Sequence, residues 1–526
     1  MKPLSYKWNK TKNIYLDWLL KNDLKKEFSK SIRYKKLSLW WLTSIYEKDA
    51  LKDHKWFNNL HKKIHNEKFL IKKDDFYLYE VFKLFLKVLK VIILSIIIKI
   101  FYKDKIVSNK FTKNCVYAPF SNLIDYNNNS LDIQYGLFSL KNKQISYAVQ
   151  LNYDFSLIYN FFGIKKKLNK IPVNYFIINR YISLIEILKV YYLTAKNFFL
   201  LKALLKKKNY FLLDKKNCSE ILKPFLLKSF FGNIQYSLIT GISFGNLFLF
   251  KKFKNFLSYL EFFPTARSVY FFLKHELKTN LISINHANYS DNMLAYAIRK
   301  SEFSNKLDYL NYSPCPDIFC TQGKKYFNRL KRVFPKKKIY QIGSLKFGTQ
   351  DIEIKRRKKI IFNNAKNKKI ISIFTSIKDY LGIVDLLNKC DLNKFFIILK
   401  PHPYYKKETL KYFFENFKFQ FNIMENCSPR DLINSSDFVL AGDSSLCYES
   451  VILGKKNTLR LYNQEYYPLF DPEDEVVTVK DYSQLNGYLN NEKKVRKVNS
   501  KKLIKDFFYK YDKYAHTRLK KILNNL

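Results

Sequence analysis

Lys400-Pro401-His402-Pro403 places one imidazole between two prolines at the end of an apolar run, KFFIILK. Proline fixes its own φ, so the backbone around His402 has few conformations and the ring few directions. A preset imidazole suits a phosphate oxygen or a leaving group that must be protonated. A second group, Gly442-Asp443-Ser444-Ser445, sits between an apolar run and a segment of helical pattern. Unpaired N–H groups at such a junction, with two compact hydroxyls, suit an anion. A third, Asn285-His286-Ala287-Asn288, follows the run NLISI, and Glu261 stands before Phe262-Phe263-Pro264. Either His286 or Glu261 has the chemistry of a general base.

The elements that must hold these residues follow from the pattern of apolar runs. From about residue 113, short apolar runs alternate with longer helix-like segments, the rhythm of parallel β-α-β units. VNYFII (173–178), YSLIT (236–240) and NLISIN (280–285) read as strands, and SVYFFLKHEL (268–277) as a helix. Gly343-Ser344 ends another short run. A second block begins near 340. KIISIFTS (369–376) is a strand ending in the hydroxyls Thr375 and Ser376, YLGIVDLLNKC (380–390) a helix, and KFFIILKPHP (394–403) a strand into a turn. Ser428 is placed to cap a helix over 428–437. FVLAGDSS (438–445) is a strand and tight loop, LCYESVIL (446–453) a helix ended by Gly454, and NTLRLY (457–462) a strand. Ligands of open α/β sheets bind outside the carboxyl ends of the strands, where His402, Ser444 and His286 are all expected.

Composition bounds the partners. The chain has 526 residues, 47% of them hydrophobic, with 47 Phe and 40 Tyr. That excludes wholesale disorder, and 12 Gly and 13 Pro exclude a collagen-like chain. Lys+Arg is 95 against 44 Asp+Glu, a formal net charge of +51. A surplus this large favours phosphate-bearing substrates and acidic lipid surfaces. The lysines also travel with Asn, Ile, Phe and Tyr, the residues of A-T-rich codons. They spread along the whole chain instead of gathering in one tail, so nucleic acid is not expected as a partner. Seven cysteines without paired spacing indicate a reducing compartment and no zinc site. The opening MKPLSYKWNKTKN lacks an apolar signal core, which points to a cytoplasmic protein.

Residues 76–102 form the most apolar stretch. Lys83, Lys87 and Lys90 recur in it at helical spacing, which predicts a helix with its lysines on one wet face. Lying in a membrane interface, it would set those ammonium groups against anionic headgroups; a buried core helix and a spanning helix are the other readings. Trp40-Trp41 reads as core, and 499–525 as a basic amphipathic helix, with a return to the first block as one course for it. The Walker A loop, GxGxxG, HExxH and GxSxG are all absent.

The order of elements resembles the two-domain GT-B glycosyltransferases of bacterial surface polysaccharide synthesis. The nearest are the group of CDP-glycerol glycerophosphotransferases, polysialyltransferases and capsule Kdo transferases. His402-Pro403, Ser444-Ser445 with Glu449, and His286 carry the likeness, and SLWWLTSIYEK resembles surface-carbohydrate biosynthesis proteins of similar length. Related transferases have His-Gly where this chain has His286-Ala287. The resemblance implies an α/β, GT-B-like fold of two Rossmann-like domains facing across a cleft, behind an N-terminal helical extension. The division expected is 1–112 extension, 113–340 acceptor domain, 341–498 donor domain and 499–526 basic helix. It also implies catalytic roles for His286, His402 and Glu261. Donor binding would fall to Lys400, Pro403, Gly442, Asp443, Ser444, Ser445, Glu449, Thr375, Ser376 and Gly343. No metal or other cofactor is expected. The implied partners are a nucleotide-activated donor, a glycan or lipid-linked glycan acceptor, and an anionic membrane at its inner face, touched peripherally. Transfer of an alditol phosphate from a CDP-linked donor fits the same residues. So does a non-enzymatic, basic membrane- or nucleic-acid-binding protein on a degenerate transferase fold.

Overall fold

The computed structural model describes the chain apart from residues 1–3, 48–53, 69–76, 108–111, 127, 137, 143, 260, 287–293, 305, 347–364, 366–367, 375–379, 402–410, 412–413, 425–426, 443, 456, 463–475, 497, 511 and 513. Two parallel sheets organise it. The first holds β1 (Asn114–Pro119), β2 (Ile145–Gln150), β3 (Asn174–Ile177), β4 (Asn255–Ser258), β5 (Asn280–Ile284), β6 (Ile318–Thr321) and β7 (Lys338–Gln341), in the order β7-β6-β5-β4-β1-β2-β3. The second holds β8 (Lys369–Phe374), β9 (Phe395–Lys400), β10 (Asn422–Ile423), β11 (Phe438–Ala441), β12 (Thr458–Leu461) and β13 (Thr478–Val479), in the order β10-β9-β8-β11-β12-β13. Counted within each sheet, both run 3-2-1-4-5-6, the doubly wound order, and the first adds β7 at its edge. The switch point falls between β1 and β4 in one sheet and between β8 and β11 in the other. Central strands are buried on both faces, which is why their sequences are near-continuous apolar runs. Leu257 of β4 lies between Val116 and Ile282, and Ile373 of β8 between Leu399 and Leu440.

The main helices are α1 (Leu4–Lys21), α2 (Asp23–Ser31), α3 (His54–Ile64), α4 (Tyr77–Phe101), α5 (Phe161–Asn169), α6 (Leu184–Lys207), α7 (Ser219–Lys228), α8 (Asn233–Lys251), α9 (Pro264–Phe271), α10 (Lys324–Val333), α11 (Tyr380–Leu387), α12 (Pro429–Ser435), α13 (Leu446–Ile452) and α14 (Ala515–Asn524). Their starts are written locally. The Asn22 side chain accepts from Lys25 N, Ser183 and Glu186 form a reciprocal capping box, and Pro264 occupies the first turn of α9.

The segment YSLIT is not a strand; it is the middle of α8. Almost every residue of α8 from Ile234 to Phe248 is buried, so the helix has no polar face and no 3.6-residue rhythm to betray it. Ile234, Leu238 and Ile242 belong to one core and Phe244, Leu247 and Phe248 to the next. Helix α9 crosses α8 closely at Gly241, where a Cβ would stand 2.3 Å from Ser268 Oγ and 2.7 Å from the Phe272 ring.

The N-terminal aromatics pack on the same scaffold. Trp40 and Trp41 are fully buried, as the sequence suggests, and Trp41 Nε1 donates to Tyr309 O at 2.9 Å. Arg267 of α9, also fully buried, stacks on Tyr46 at 4.1 Å and donates to Trp41 O. The Tyr46 hydroxyl in turn bonds Glu302.

One further expectation changes, that for the tail. On α4, Lys87 stays exposed while its Nζ donates to the Phe231 carbonyl at 2.7 Å, and Lys90, one turn on, lies over the Phe155 ring. Among the described residues, no helix is long and apolar enough to cross a membrane. The segment 499–525 is not one helix either. A short α-turn and a π-turn end at Tyr509 (φ 61°), and α14 starts afresh at Ala515. Phe507 stacks on Tyr448 of the second sheet's helix layer at 4.2 Å, while Leu519 and Leu523 enter the core of the first sheet.

Gly241→Ala tests the α8–α9 crossing. Helix propensity alone favours Ala by about 0.8–1 kcal/mol. Overpacking costs about 1–3 kcal/mol and outweighs it. A lowered urea midpoint is expected, and an unchanged or raised midpoint would show that the helices can separate freely.

Candidate functional site

In the second sheet the pairing sets Lys400, Phe374 and Ala441 level with one another, on three adjacent strands, with Arg460 paired to Ala441 beyond them. The strands bordering the switch point therefore end together. Gly442 N donates to Phe374 O at 3.1 Å, which holds the start of the Gly442–Ser445 loop against the end of β8. Ser444 N turns back to Gly442 O, and the Ser444 hydroxyl accepts from Leu446 N at 3.3 Å. Ser445 precedes α13 and its side chain makes no capping bond. Helix α13 spans only 7 residues. With the N–H groups of Gly442, Ser444 and Leu446 already bonded within the protein, what this corner can offer an anion is chiefly its serine hydroxyls, more than a macrodipole.

Lys400, Gly442, Ser444 and Ser445 thus lie at one strand-end corner. His402, Pro403, Asp443, Thr375 and Ser376 lie outside the described residues. Two other residues expected at the donor site are packed against protein. Glu449 is buried within α13, and its carboxylate meets Arg430 Nε at 3.5 Å, which braces α12 against α13. Gly343 (φ 81°) is covered by the returning tail: a Cβ there would lie 3.0 Å from Arg518 Nη2 and 3.3 Å from Lys510 O.

At the first sheet, Glu261 follows β4 and His286 follows β5, the neighbouring strand. Glu261 adopts φ 47°, a left-handed conformation costly for a residue with a Cβ, at the switch point itself. Its side chain is fully buried. Tyr326 Oη of α10 donates to Oε2 at 2.7 Å, and Oε1 has no partner among the described residues. Burial raises its pKa to about 8, with the Tyr326 bond opposing. Glu261 is therefore a neutral carboxylic acid at pH 7, closed off from an acceptor hydroxyl in this conformation. Of the two, His286 keeps the chemistry of a base. Its pKa is depressed to about 4, first by burial and then by Lys346, against a backbone bond at Tyr259 that raises it. The imidazole is unprotonated at neutral pH and able to take a proton.

Behind His286 stands a set of residues that motif reading did not find. The Tyr259 ring lies 5.2 Å from the His286 ring. Tyr259 Oη reaches Asp132 Oδ2 at 3.4 Å and accepts from Asn122. Asp132 is fully buried, and burial lifts its pKa to about 8 as well. These residues come from segments far apart in sequence, so no local pattern links them. Among the described residues, no group of three or more His, Cys, Asp or Glu side chains is placed to hold a metal ion.

The buried acid sets a pH dependence. The folded pKa of Glu261 is about 8 against an ordinary 4.5. The native state therefore holds a proton that the unfolded chain releases, and stability falls as pH rises between those values. Glu261→Gln keeps an acceptor for Tyr326 and carries no charge. At pH 8 the variant should be more stable than the parent by a few kcal/mol, because each pH step between the two values costs the parent about 1.4 kcal/mol. Near pH 4.5 the difference should vanish. Urea titrations at the two pH values measure this; a difference independent of pH would contradict the buried neutral acid.

No protein-family model and no curated protein sequence matches the chain. Solved structures that align with it include the S. aureus MnaA–UDP co-structure, at 10% identity over 79% of this chain and 98% of that one, with a TM-score of 0.45. A UDP-GlcNAc 2-epimerase from Neisseria meningitidis bound to UDP-GlcNAc aligns at 14% identity over 78% and 99%, with a TM-score of 0.43. The wall teichoic acid polymerase TagF with CDPG aligns at 12% identity over 86% and 98%, with a TM-score of 0.39. Overlaps below 0.5 add nothing to what the strand order itself establishes: two doubly wound parallel sheets in one chain, a GT-B-like architecture.

Proposed function

We propose that the protein is a GT-B-type glycosyltransferase that moves a sugar from a nucleotide-activated donor to a growing surface glycan, such as a capsule or an O-antigen. The observation that carries this reading is the level row of strand ends at the second sheet's switch point. Lys400 ends one strand there, and Gly442, Ser444 and Ser445 follow another. The hydroxyls of Ser444 and Ser445 and the ammonium of Lys400, borne at one strand-end corner, suit a diphosphate. His402 and Ser445 would stabilise the charge leaving with the nucleotide. His286, neutral and beside the other sheet's switch point, would remove the acceptor's proton, and Asp132–Tyr259 would keep its ring in place. In this reading residues 113–340 form the acceptor domain and 341–498 the donor domain. No metal or other cofactor takes part. The acceptor is a glycan or lipid-linked glycan at the inner face of the membrane, with peripheral contact between the protein and anionic lipid.

The test has two stages. A thermal-shift screen against CMP-, CDP-, UDP- and GDP-linked compounds should find one nucleotide class that stabilises the protein, by about 2.7 kcal/mol at one hundred times its Kd. A CDP-alditol as the one stabilising compound would replace sugar transfer with alditol-phosphate transfer. With the donor found, Ser445→Ala and His402→Ala should each lower turnover by about 10²–10³ while the fold survives. Near-normal transfer and unchanged nucleotide affinity in both would overturn the assignment of the donor site.

A further inference from the structure

The outward stripe of α4 is wholly apolar. Phe85, Leu89, Ile93, Ile96 and Ile100 recur at intervals of three and four residues, and all are exposed, Phe85 by 65%. The opposite side, with Leu94, Ile98 and the following Tyr102, enters the core of the first sheet. Such a stripe is ordinary when another helix covers it, but here α4 is bordered, not covered. On one side lie the turn Ser156–Tyr159 and α5, tied by the Tyr102 hydroxyl to Leu157 O at 2.7 Å and by the edge-on rings of Phe101 and Phe161. On the other side lies α6.

Both neighbours repeat the pattern. Tyr159 is 80% and Phe162 83% exposed, and on α6 the series Ile185, Leu188, Tyr192 and Phe199 follows one helical face, with Tyr192 73% exposed. Most of the large apolar side chains that the described residues leave in water lie on this one face of the first domain. A surface of this extent marks a binding site, not scattered exposure.

The charges on the face decide what covers it. Lys90 lies over Phe155, Lys165 over Phe161 and Lys202 over Phe198, each ammonium seated on an aromatic at the margin of the apolar area. The neighbouring carboxylates are already engaged: Asp104 with Arg180 and Tyr181, Glu186 with Ser183 and Asn246, Asp154 with Ser156. A second copy of the chain would bring the same lysines against these. An anionic bilayer supplies both an apolar interior and a negative surface.

We propose that α4, α5 and α6 together form the membrane-docking face, lying in the interface of an anionic bilayer with the apolar stripes sunk among the acyl chains and the lysines at the phosphates. This deepens the membrane contact of the proposed function by giving it a surface, and it rests on that reading only for the choice of membrane.

Flotation of the full chain with vesicles tests the face. The parent should float with phosphatidylglycerol–phosphatidylcholine vesicles. It should float less with phosphatidylcholine alone, and less as salt rises, because salt screens the attraction of the lysines to the anionic surface. The triple variant Phe85→Ser, Phe162→Ser, Tyr192→Ser changes only exposed positions and should bind at least about tenfold more weakly, since it removes three large apolar side chains from the docking face. Its melting temperature and nucleotide-induced shift should match the parent's. Ser445→Ala should float as the parent does, which separates failure of this face from failure of the donor site. Equal flotation of parent and triple variant would overturn the proposal. So would a parent that floats with neither vesicle, or a parent that sediments as a dimer which the triple variant dissolves without change in vesicle binding.

Discussion

The close crossing of α8 and α9 at Gly241 is the constraint on which the site depends. Ser268 and Phe272 fill the space a side chain would need, so the backbone of α8 lies directly against side chains of α9 and the turn that follows it. The chain runs from α8 through β4 and Glu261 into α9, and from there to β5 and His286. One separation between two helices thus fixes where both strand ends of the first sheet deliver their residues. The same pair carries the N-terminal aromatics: Arg267 leaves α9 toward Tyr46 and Trp41, and Ile234, Leu238 and Ile242 of α8 pack among them. A buried guanidinium is tolerated because an aromatic face, two carbonyls and the charge of Glu302 surround it. Arg267 thereby fastens the extension in one position.

The two sheets share a winding but differ in electrical character at their switch points. At the first, burial suppresses charge: Glu261 and Asp132 hold protons that water would strip from them, and His286 refuses one that water would let it keep. At the second, Lys400 and the Gly442–Ser445 loop offer donors at a more open edge. A neutral imidazole among uncharged acids suits an uncharged hydroxyl, and donors suit a phosphate. The environments separate the roles more than the residue types do.

Much of this was readable in the chain. Strands β8, β9, β11 and β12 announce themselves as short apolar runs between punctuating residues, and Gly454 ends α13 at φ 85° where a left-handed residue is required. Reading failed where the deciding partner was distant. YSLIT has the composition of a strand, and only burial on every side makes it helix. Gly343 has the spacing of a ligand-binding turn, yet the residues that fill its space come from the tail, with Arg518 bonding the adjacent Ile342 O at 2.7 Å. The Asp132–Tyr259 contact joins positions 127 residues apart, which no local pattern can encode. Lys87 and Lys90 of α4 were legible as part of a helical series, but their partners, the Phe231 carbonyl and the Phe155 ring, come from other segments.

The returning tail carries a consequence for the order in which the molecule can be made. Every strand of the first sheet precedes residue 342, yet Ala515, Leu519 and Leu523 belong to that sheet's core. A ribosome has therefore finished the whole second sheet before it supplies the side chains that close the first. Domains generally fold as units during synthesis, from the N-terminal side. Until the tail arrives, the core of the first sheet lacks three of its apolar side chains, and the segment that brings them passes Tyr448, against which Phe507 stacks. The core of the first sheet is therefore complete only in a chain whose second sheet has already been made.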